Sequence, residues 1–200
     1  MSYVLSFRRP PPPPNESFDY VHKHPGCRWW PYIPIEDKPI NYLEIGVHKG
    51  TNIIDVAKSY AIHPDSKIHC VDPWMDYDEY PEYKGKQDVL FEEFKKNTAA
   101  YADRFIVHRG FSDDIVPTFE DNSFDIIYID GNHETEYVYR DGCMSIEKVK
   151  PGGYIIFDDY YSKWKQTVIG IDRVLDKYAS RIQIINRCTP GFCQVIIRKL

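Results

Sequence analysis

The stretch DIIYIDGNHETE, residues 125–136, contains the change of pattern on which the fold turns. Ile126, Ile127, Tyr128 and Ile129 form a short continuous apolar run, the pattern of a strand covered on both faces. Asp130, Gly131, Asn132 and His133 follow, polar or flexible, and a helical pattern then begins. A buried strand that ends in a carboxylate and an imidazole three residues apart delivers reactive groups to one point at the edge of a sheet.

The same alternation repeats on either side. NYLEIG precedes a helix expected over Thr51–Tyr60, KIHCVD one over Gln87–Ala100, and RFIVHRG a short one over Asp113–Phe119. FDIIYID precedes a helix over Glu134–Val149, and GGYIIFDD one over Trp164–Tyr178. Strands alternating with helices at this spacing predict an α/β domain of βαβ units, a parallel sheet with helices on both faces. RIQIINRC, a Thr-Pro-Gly turn and FCQVIIRK predict instead two strands in a C-terminal antiparallel hairpin. This domain spans residues 41–200. An N-terminal arm, 1–40, holds nine of the fifteen prolines, including Pro10–Pro14, and favours extended polyproline II structure. The aromatics of its CRWWPYIPI segment are expected to cap the core, with covering a substrate or docking a partner as the alternatives.

Two hundred residues suffice for one domain with a full core. The longest apolar runs are too short to cross a bilayer, and the amino end lacks the charged start and small-residue cleavage site of a signal peptide. With 30 acidic against 25 basic residues and no long basic run, a nucleic-acid partner is not expected. Five scattered cysteines, an odd number without CxxC, fit reduced thiols and a cytoplasmic location. A Cys188–Cys193 bridge across the hairpin and a His22, His24, Cys27 zinc site are weighed and not favoured, the second for want of a fourth ligand.

In open α/β sheets ligands bind beyond the carboxyl ends of the strands, near the switch in strand order. The first such end, LEIGVHKGTN, carries Gly46 and Gly50 around a tight turn where a ligand can approach backbone N–H groups. Glycine at such a turn also serves geometry alone. The second strand ends at Asp72, 22 residues beyond Gly50, where an acid can accept hydrogen bonds from both hydroxyls of a ribose. The dinucleotide fingerprint G-x-G-x-x-G is absent, and Glu44 stands two residues before Gly46. A carboxylate there suits a cationic ligand better than a pyrophosphate, which favours S-adenosylmethionine over NAD.

Strand four ends at Asp130 and strand five at Asp158 and Asp159. If the strands are neighbours, three carboxylates meet, and a hard divalent cation, Mg²⁺ or Mn²⁺, offsets their repulsion. Strand-end acids also serve as helix N-caps. His133 titrates near neutrality and is a candidate general base for a substrate hydroxyl, or else a helix-start residue bonded to backbone.

The motifs YLEIGVHKGT, VDPW, the Phe91–Ser112 block, SFDIIYIDGNHETEYVYRD and KVKPGGYIIFDDY resemble the class I S-adenosylmethionine-dependent methyltransferases. Within them the chain is similar to the small metal-dependent O-methyltransferases that modify sugars. The resemblance implies a Rossmann-like sheet of seven mostly parallel strands in the order 3-2-1-4-5-7-6. It implies that Glu44, Gly46 and Gly50 hold the methionine part of the donor, Asp72 the ribose, and Ser112 and Asp113 the adenine, with Asp130 beside them. Asp130, Asp158 and Asp159 match the metal ligands. His133 falls where relatives of the catechol-methylating type carry a lysine base, so the metal alone is the alternative activator. A further likeness to viral or microbial glycan-methylating domains implies a glycosyltransferase as partner or fused domain. A homodimer is also an expectation.

The loop from Pro73 to Lys86, with Trp74, is rich in aromatics and acids that suit a sugar or glycan acceptor, and Tyr160, Tyr161 and Trp164 are further acceptor-site candidates. A small aromatic diol is the alternative acceptor. An NAD-dependent oxidoreductase and a non-catalytic docking module are the alternatives of a different class.

Overall fold

The computed structural model describes residues 29, 32–77, 79, 81–161, 163–189 and 192–200. The histidine–cysteine grouping at His22, His24 and Cys27 and the proline run lie outside these residues, as does the side chain of Cys188. Cys70 and Cys143 are thiols. No helix among the described residues is long and apolar enough to cross a membrane.

The apolar runs become β1 (Asn41–Ile45), β2 (Lys67–Asp72), β3 (Phe105–Arg109), β4 (Phe124–Ile129), β5 (Val149–Phe157), β6 (Ile182–Thr189) and β7 (Phe192–Lys199). They form one seven-stranded sheet in the order β3-β2-β1-β4-β5-β7-β6. Pairing is parallel from β3 through β5, and β7 runs antiparallel to both β5 and β6. Sheet order and terminal hairpin are those expected. Between the strands lie α1 (Thr51–Ser59), α2 (Gln87–Thr98), α3 (Ser112–Ile115), α4 (Thr135–Lys148) and α5 (Lys165–Lys177).

Side chains alternate across a strand, so each strand feeds two cores. Tyr42, Ile68, Cys70, Ile126, Tyr128, Ile156 and Ile196 face one way and meet α1 and α2 through Ile53, Val56, Leu90 and Phe94. Leu43, Val71, Ile127, Ile155, Phe157 and Val195 face the other way and meet α4 and α5 through Val138, Ile146, Ile171 and Val174. The arm contributes to the first core, as its aromatics suggested: Trp29 is fully buried against Tyr42, Tyr60 and Tyr128.

Each helix differs from expectation by a residue or more at one end or both, and two of the differences have local reasons. The short helix starts one residue early and its α turn ends at Ile115, continuing as a 3₁₀ turn over Val116–Thr118. Pro117 has no N–H with which to continue the α ladder. The helix expected through Val149 stops at Lys148, and Val149 already has strand dihedrals, two residues before Pro151.

Candidate active site

The parallel ladder sets the functional residues in a row. Beyond the strand ends, Gly46 N–H donates to Val71, Gly110 N–H to Asp72, Asp130 N–H to Ile45 and Asp158 N–H to Ile129. β1 pairs with both β2 and β4, so the chain switches direction between them, and a cleft of about 340 Å³ opens there. Asp72, Ser112 and Asp113, after β2 and β3, and Asp130, His133, Asp159 and Trp164, after β4 and β5, line it from either side of β1, at whose end Gly46 lies.

Backbone proximity explains the glycines. Gly46 has φ +84°, and a Cβ there would lie 2.0 Å from the Asp130 carbonyl oxygen. Gly50, at φ +83°, starts α1 and lies against Thr98 and Phe94, outside the cleft lining. Asp72 pins the turn between them. One carboxylate oxygen accepts the N–H groups of Val47 and His48 at 3.0 and 2.8 Å, and the other accepts that of Trp74 at 2.9 Å. Burial raises the Asp72 pKa against the pull of these three donors.

Glu44 does not line the cleft. It is buried beneath the turn, where Tyr42 Oη and Asn52 Nδ2 each donate to its Oε2 at 2.6 Å. Burial pushes its pKa up to about 8. At that pKa the carboxyl is largely uncharged at neutral pH, so the negative charge reasoned for Glu44 from the sequence is not presented to the cleft.

On the β4 and β5 side His133 lies between two carboxylates. Its Nδ1 is 2.8 Å from Glu79 Oε1 and its Nε2 is 2.8 Å from Asp159 Oδ2. Burial disfavours the cation, but hydrogen bonds to Asp159 and then Glu79 outweigh it and raise the His133 pKa to about 10. The imidazole is therefore protonated at neutral pH and donates from both nitrogens. Trp164 stacks on the ring, centroids 4.4 Å apart. Asp130 completes the group, and one ligand atom each from Asp130, His133 and Asp159 lies within 4.8 Å of the others. The Asp130 carboxyl opens onto the cleft, but protein packed around it withdraws bulk water. That desolvation, and then the charges of Asp158 and Asp159, push its pKa well above the carboxylate range.

Asp158 turns the other way. Its Oδ2 accepts the Tyr128 hydroxyl and its Oδ1 the Asp159 N–H, the latter at 2.8 Å. Among the aromatic candidates, Trp164 lines the cleft. Trp74 touches it but is almost fully buried, packed on Phe91 and Phe94 with its indole N–H bonded to the His48 carbonyl. Tyr160 bonds to Asp172, and Tyr161 accepts the Trp164 indole N–H; neither lines the cleft.

Two residues of the site escaped the sequence reading, Asp141 in the cleft wall and Glu79 behind His133. Glu79 lies in the aromatic acidic loop, which has no periodicity to mark one acid over another. Asp141 had a signal: it falls on the apolar stripe of α4, between Val138 and Ser145, where an acid is out of place. It is buried beside Ser112, and burial lifts its pKa to about 7.

Strand order, terminal hairpin and a cleft at the switch point together define a Rossmann-like methyltransferase fold. The chain belongs to the family described as "Methyltransferase domain" (Methyltransf_24), whose model matches residues 43–160. A curated relative, the uncharacterized protein R132 of Acanthamoeba polyphaga mimivirus, is 27% identical over 142 residues, covering 67% of this chain and 58% of that one. The chain thus spans less than two thirds of that relative's length. Among solved structures, an O-methyltransferase from Bacillus cereus in complex with SAH is 19% identical, with 80% of this chain and 73% of that one covered and a TM-score of 0.59. The O-methyltransferase NovP is 20% identical, with 80% and 72% covered and a TM-score of 0.61. TomG from Streptomyces achromogenes, involved in tomaymycin synthesis and solved with SAM, is 18% identical, with 80% and 72% covered and a TM-score of 0.58. At these identities the likeness to solved structures carries the fold.

Proposed function

We propose that the protein is a divalent-metal-dependent O-methyltransferase that moves a methyl group from S-adenosylmethionine to a sugar hydroxyl. The observation that carries this reading is the single cleft, with Asp72, Ser112 and Asp113 on one side of β1 and the Asp130–His133–Asp159 group on the other. SAH and SAM in the solved O-methyltransferases of the same fold support the donor.

The acid end fits a hard cation. Asp130, Asp159 and Glu79 gather around one imidazole, with Asp158 behind them on Tyr128, an excess of acidic groups over basic ones. Among the described residues Glu79 Oε2 is buried with no hydrogen-bond partner. Carboxylate oxygens and an imidazole suit Mg²⁺ or Mn²⁺. Asp130 and Asp159 would hold the ion with His133 at its edge, and Asp158 would add its charge from behind. The ion, when bound, would supply Lewis-acid polarisation of the acceptor hydroxyl.

The chain's own residues do the rest. The Asp72 carboxylate, fixed by three amides, faces the ribose hydroxyls, and Ser112 and Asp113 flank the base. Glu79 keeps the Nδ1 proton of His133 in place; Nε2 would take the acceptor's proton only once free of its own, a state that the charge of a cation held by Asp130 and Asp159 would favour. The Trp164 ring covers the imidazole and excludes water, and together with Tyr77 and Tyr83 in the cleft wall offers apolar faces to a sugar. Much of the acceleration comes from holding acceptor and donor in line.

The test is release of S-adenosylhomocysteine over a panel of deoxyhexose glycosides and catechols, each with Mg²⁺, Mn²⁺ or excess chelator. Turnover of a glycoside that stops with chelator is expected. Turnover of catechols alone would discard the sugar, chelator-resistant turnover would discard the metal, and no turnover with any acceptor would favour a docking module.

A further inference from the structure

A line of hydrogen-bonded polar side chains runs from Trp29 to the acid end of the cleft. Trp29 Nε1–H donates to Gln194 Oε1 at 3.1 Å, and Gln194 Nε2 donates to the Tyr128 hydroxyl at 3.2 Å. That hydroxyl donates to Asp158 Oδ2. Asp158 Oδ1 accepts the Asp159 N–H at 2.8 Å, and Asp159 Oδ2 meets His133 Nε2 at 2.8 Å. Trp29, Tyr128 and Gln194 are all buried, so water does not substitute for a missing partner.

The direction of this line follows from what each group can donate. An indole nitrogen only donates, so Gln194 must turn its carbonyl oxygen towards Trp29 and its NH₂ towards Tyr128. Tyr128, accepting from Gln194, directs its own proton to Asp158. Asp158, held on one oxygen, offers the other to the Asp159 amide. Asp159 has φ 55°, a left-handed conformation that a non-glycine residue keeps only where its surroundings enforce it. Gln194 also hydrogen-bonds to Asp158 directly, so losing the Trp29 N–H, which fixes the amide's oxygen, loosens its hold on Tyr128 and Asp158 together.

We propose that Trp29, Gln194 and Tyr128 are positioning residues for the cation site: their one-way relay fixes Asp158, which holds Asp159 in its left-handed conformation and aims its carboxylate at Asp130 and His133. The inference rests on the cation reading above and extends it to a residue of the N-terminal arm, which thereby becomes part of the site's support.

The test is titration of the full-length metal-free protein with Mn²⁺, followed by electron paramagnetic resonance. Wild type, Trp29→Phe, Tyr128→Phe and the double variant are compared, with S-adenosylhomocysteine affinity by calorimetry and Tm on each. Both single variants are expected to bind Mn²⁺ about tenfold more weakly, the scale typical of losing a group that orients a ligand, while S-adenosylhomocysteine affinity is unchanged. The double variant is expected to lose less than the sum of the two single losses, because both changes act through Asp158. Wild-type Mn²⁺ affinity in the variants overturns the relay, as do additive losses or a parallel fall in S-adenosylhomocysteine affinity. A wild-type protein that takes up no Mn²⁺ overturns the cation reading itself, and the relay with it. Should Trp29→Phe fail to fold, Gln194→Met interrupts the relay at its middle and carries the same expectations.

Discussion

Glu79 holds His133 twice: its Oε1 accepts the backbone N–H at 3.0 Å and lies 2.8 Å from Nδ1 of the ring, across 54 residues of sequence. The pair ties the loop after β2 to the end of β4, over the cleft. Glu79→Gln removes the charge that favours the imidazolium, so the His133 pKa should fall from about 10, followed by NMR titration of the ring protons in metal-free protein. Methyl transfer should fall roughly 10–100-fold, the range for loss of a partner that orients a histidine. The sign for stability follows from linkage: a folded pKa above the unfolded value of about 6.5 stabilises below that pH, and the gain is lost as pH rises through 10. Wild type should therefore lose more stability over that window than Glu79→Gln. An unshifted His133 titration would refute the pairing.

Asp130 is held among like charges, with its pKa pushed well up. Asp130→Asn should cut methyl transfer by about 10²–10³, the usual loss for one electrostatic group at a reacting centre, while thermal denaturation shows a Tm equal to or above wild type. A variant that transfers methyl groups at the wild-type rate would remove Asp130 from the site.

Gly46→Ala places a Cβ 2.0 Å from the Asp130 carbonyl oxygen at a φ of +84°. Backbone has to move, so urea unfolding should show a loss of about 2–4 kcal/mol. Gly85→Ala is the control, also at positive φ but with nothing within 4 Å of its Cβ; its loss should be about 1 kcal/mol, from the backbone conformation alone. Equal losses in the two variants would refute the steric argument.

His69 and His108 stack with 3.0 Å between Nδ1 and Nε2, and the edges or faces of Phe119 and Phe124 surround His69. Burial, then the neighbouring His108, lowers the His69 pKa to about 4. The folded state thus binds fewer protons than the unfolded chain, and stability present above about pH 6.5 is lost as pH falls towards 4. Urea midpoints between pH 7 and 4.5 should fall more steeply for wild type than for His69→Phe. Parallel slopes would count against the pair as an acid-sensitive element.

Much of the site was legible because strand ends are legible. The runs before Asp72, Asp130 and Asp158 declare themselves by apolar continuity, and a parallel sheet sets their last residues along one edge whatever the loops do. Which way each side chain then turns is another matter. Asp158 and Asp159 are adjacent and chemically identical, yet one faces Tyr128 inside the sheet and the other His133 in the cleft. Glu44 belongs to β1 and its face is covered, so its carboxylate is occupied by Tyr42 and Asn52. Tyr160, counted with the acceptor site by its place in sequence, is drawn off to Asp172.

The sequence by itself determined the class of fold, the hairpin that ends it and the strand ends where chemistry gathers, because period and turn chemistry are local properties written into neighbouring residues. Only the tertiary structure decided that Glu79 reaches His133, that Trp29 stands in the core beside Gln194, and that Asp159 adopts a left-handed backbone. Those contacts join segments with no common period, and they form only when packing of both sheet faces brings distant side chains within hydrogen-bonding range, where donor and acceptor inventories leave one arrangement.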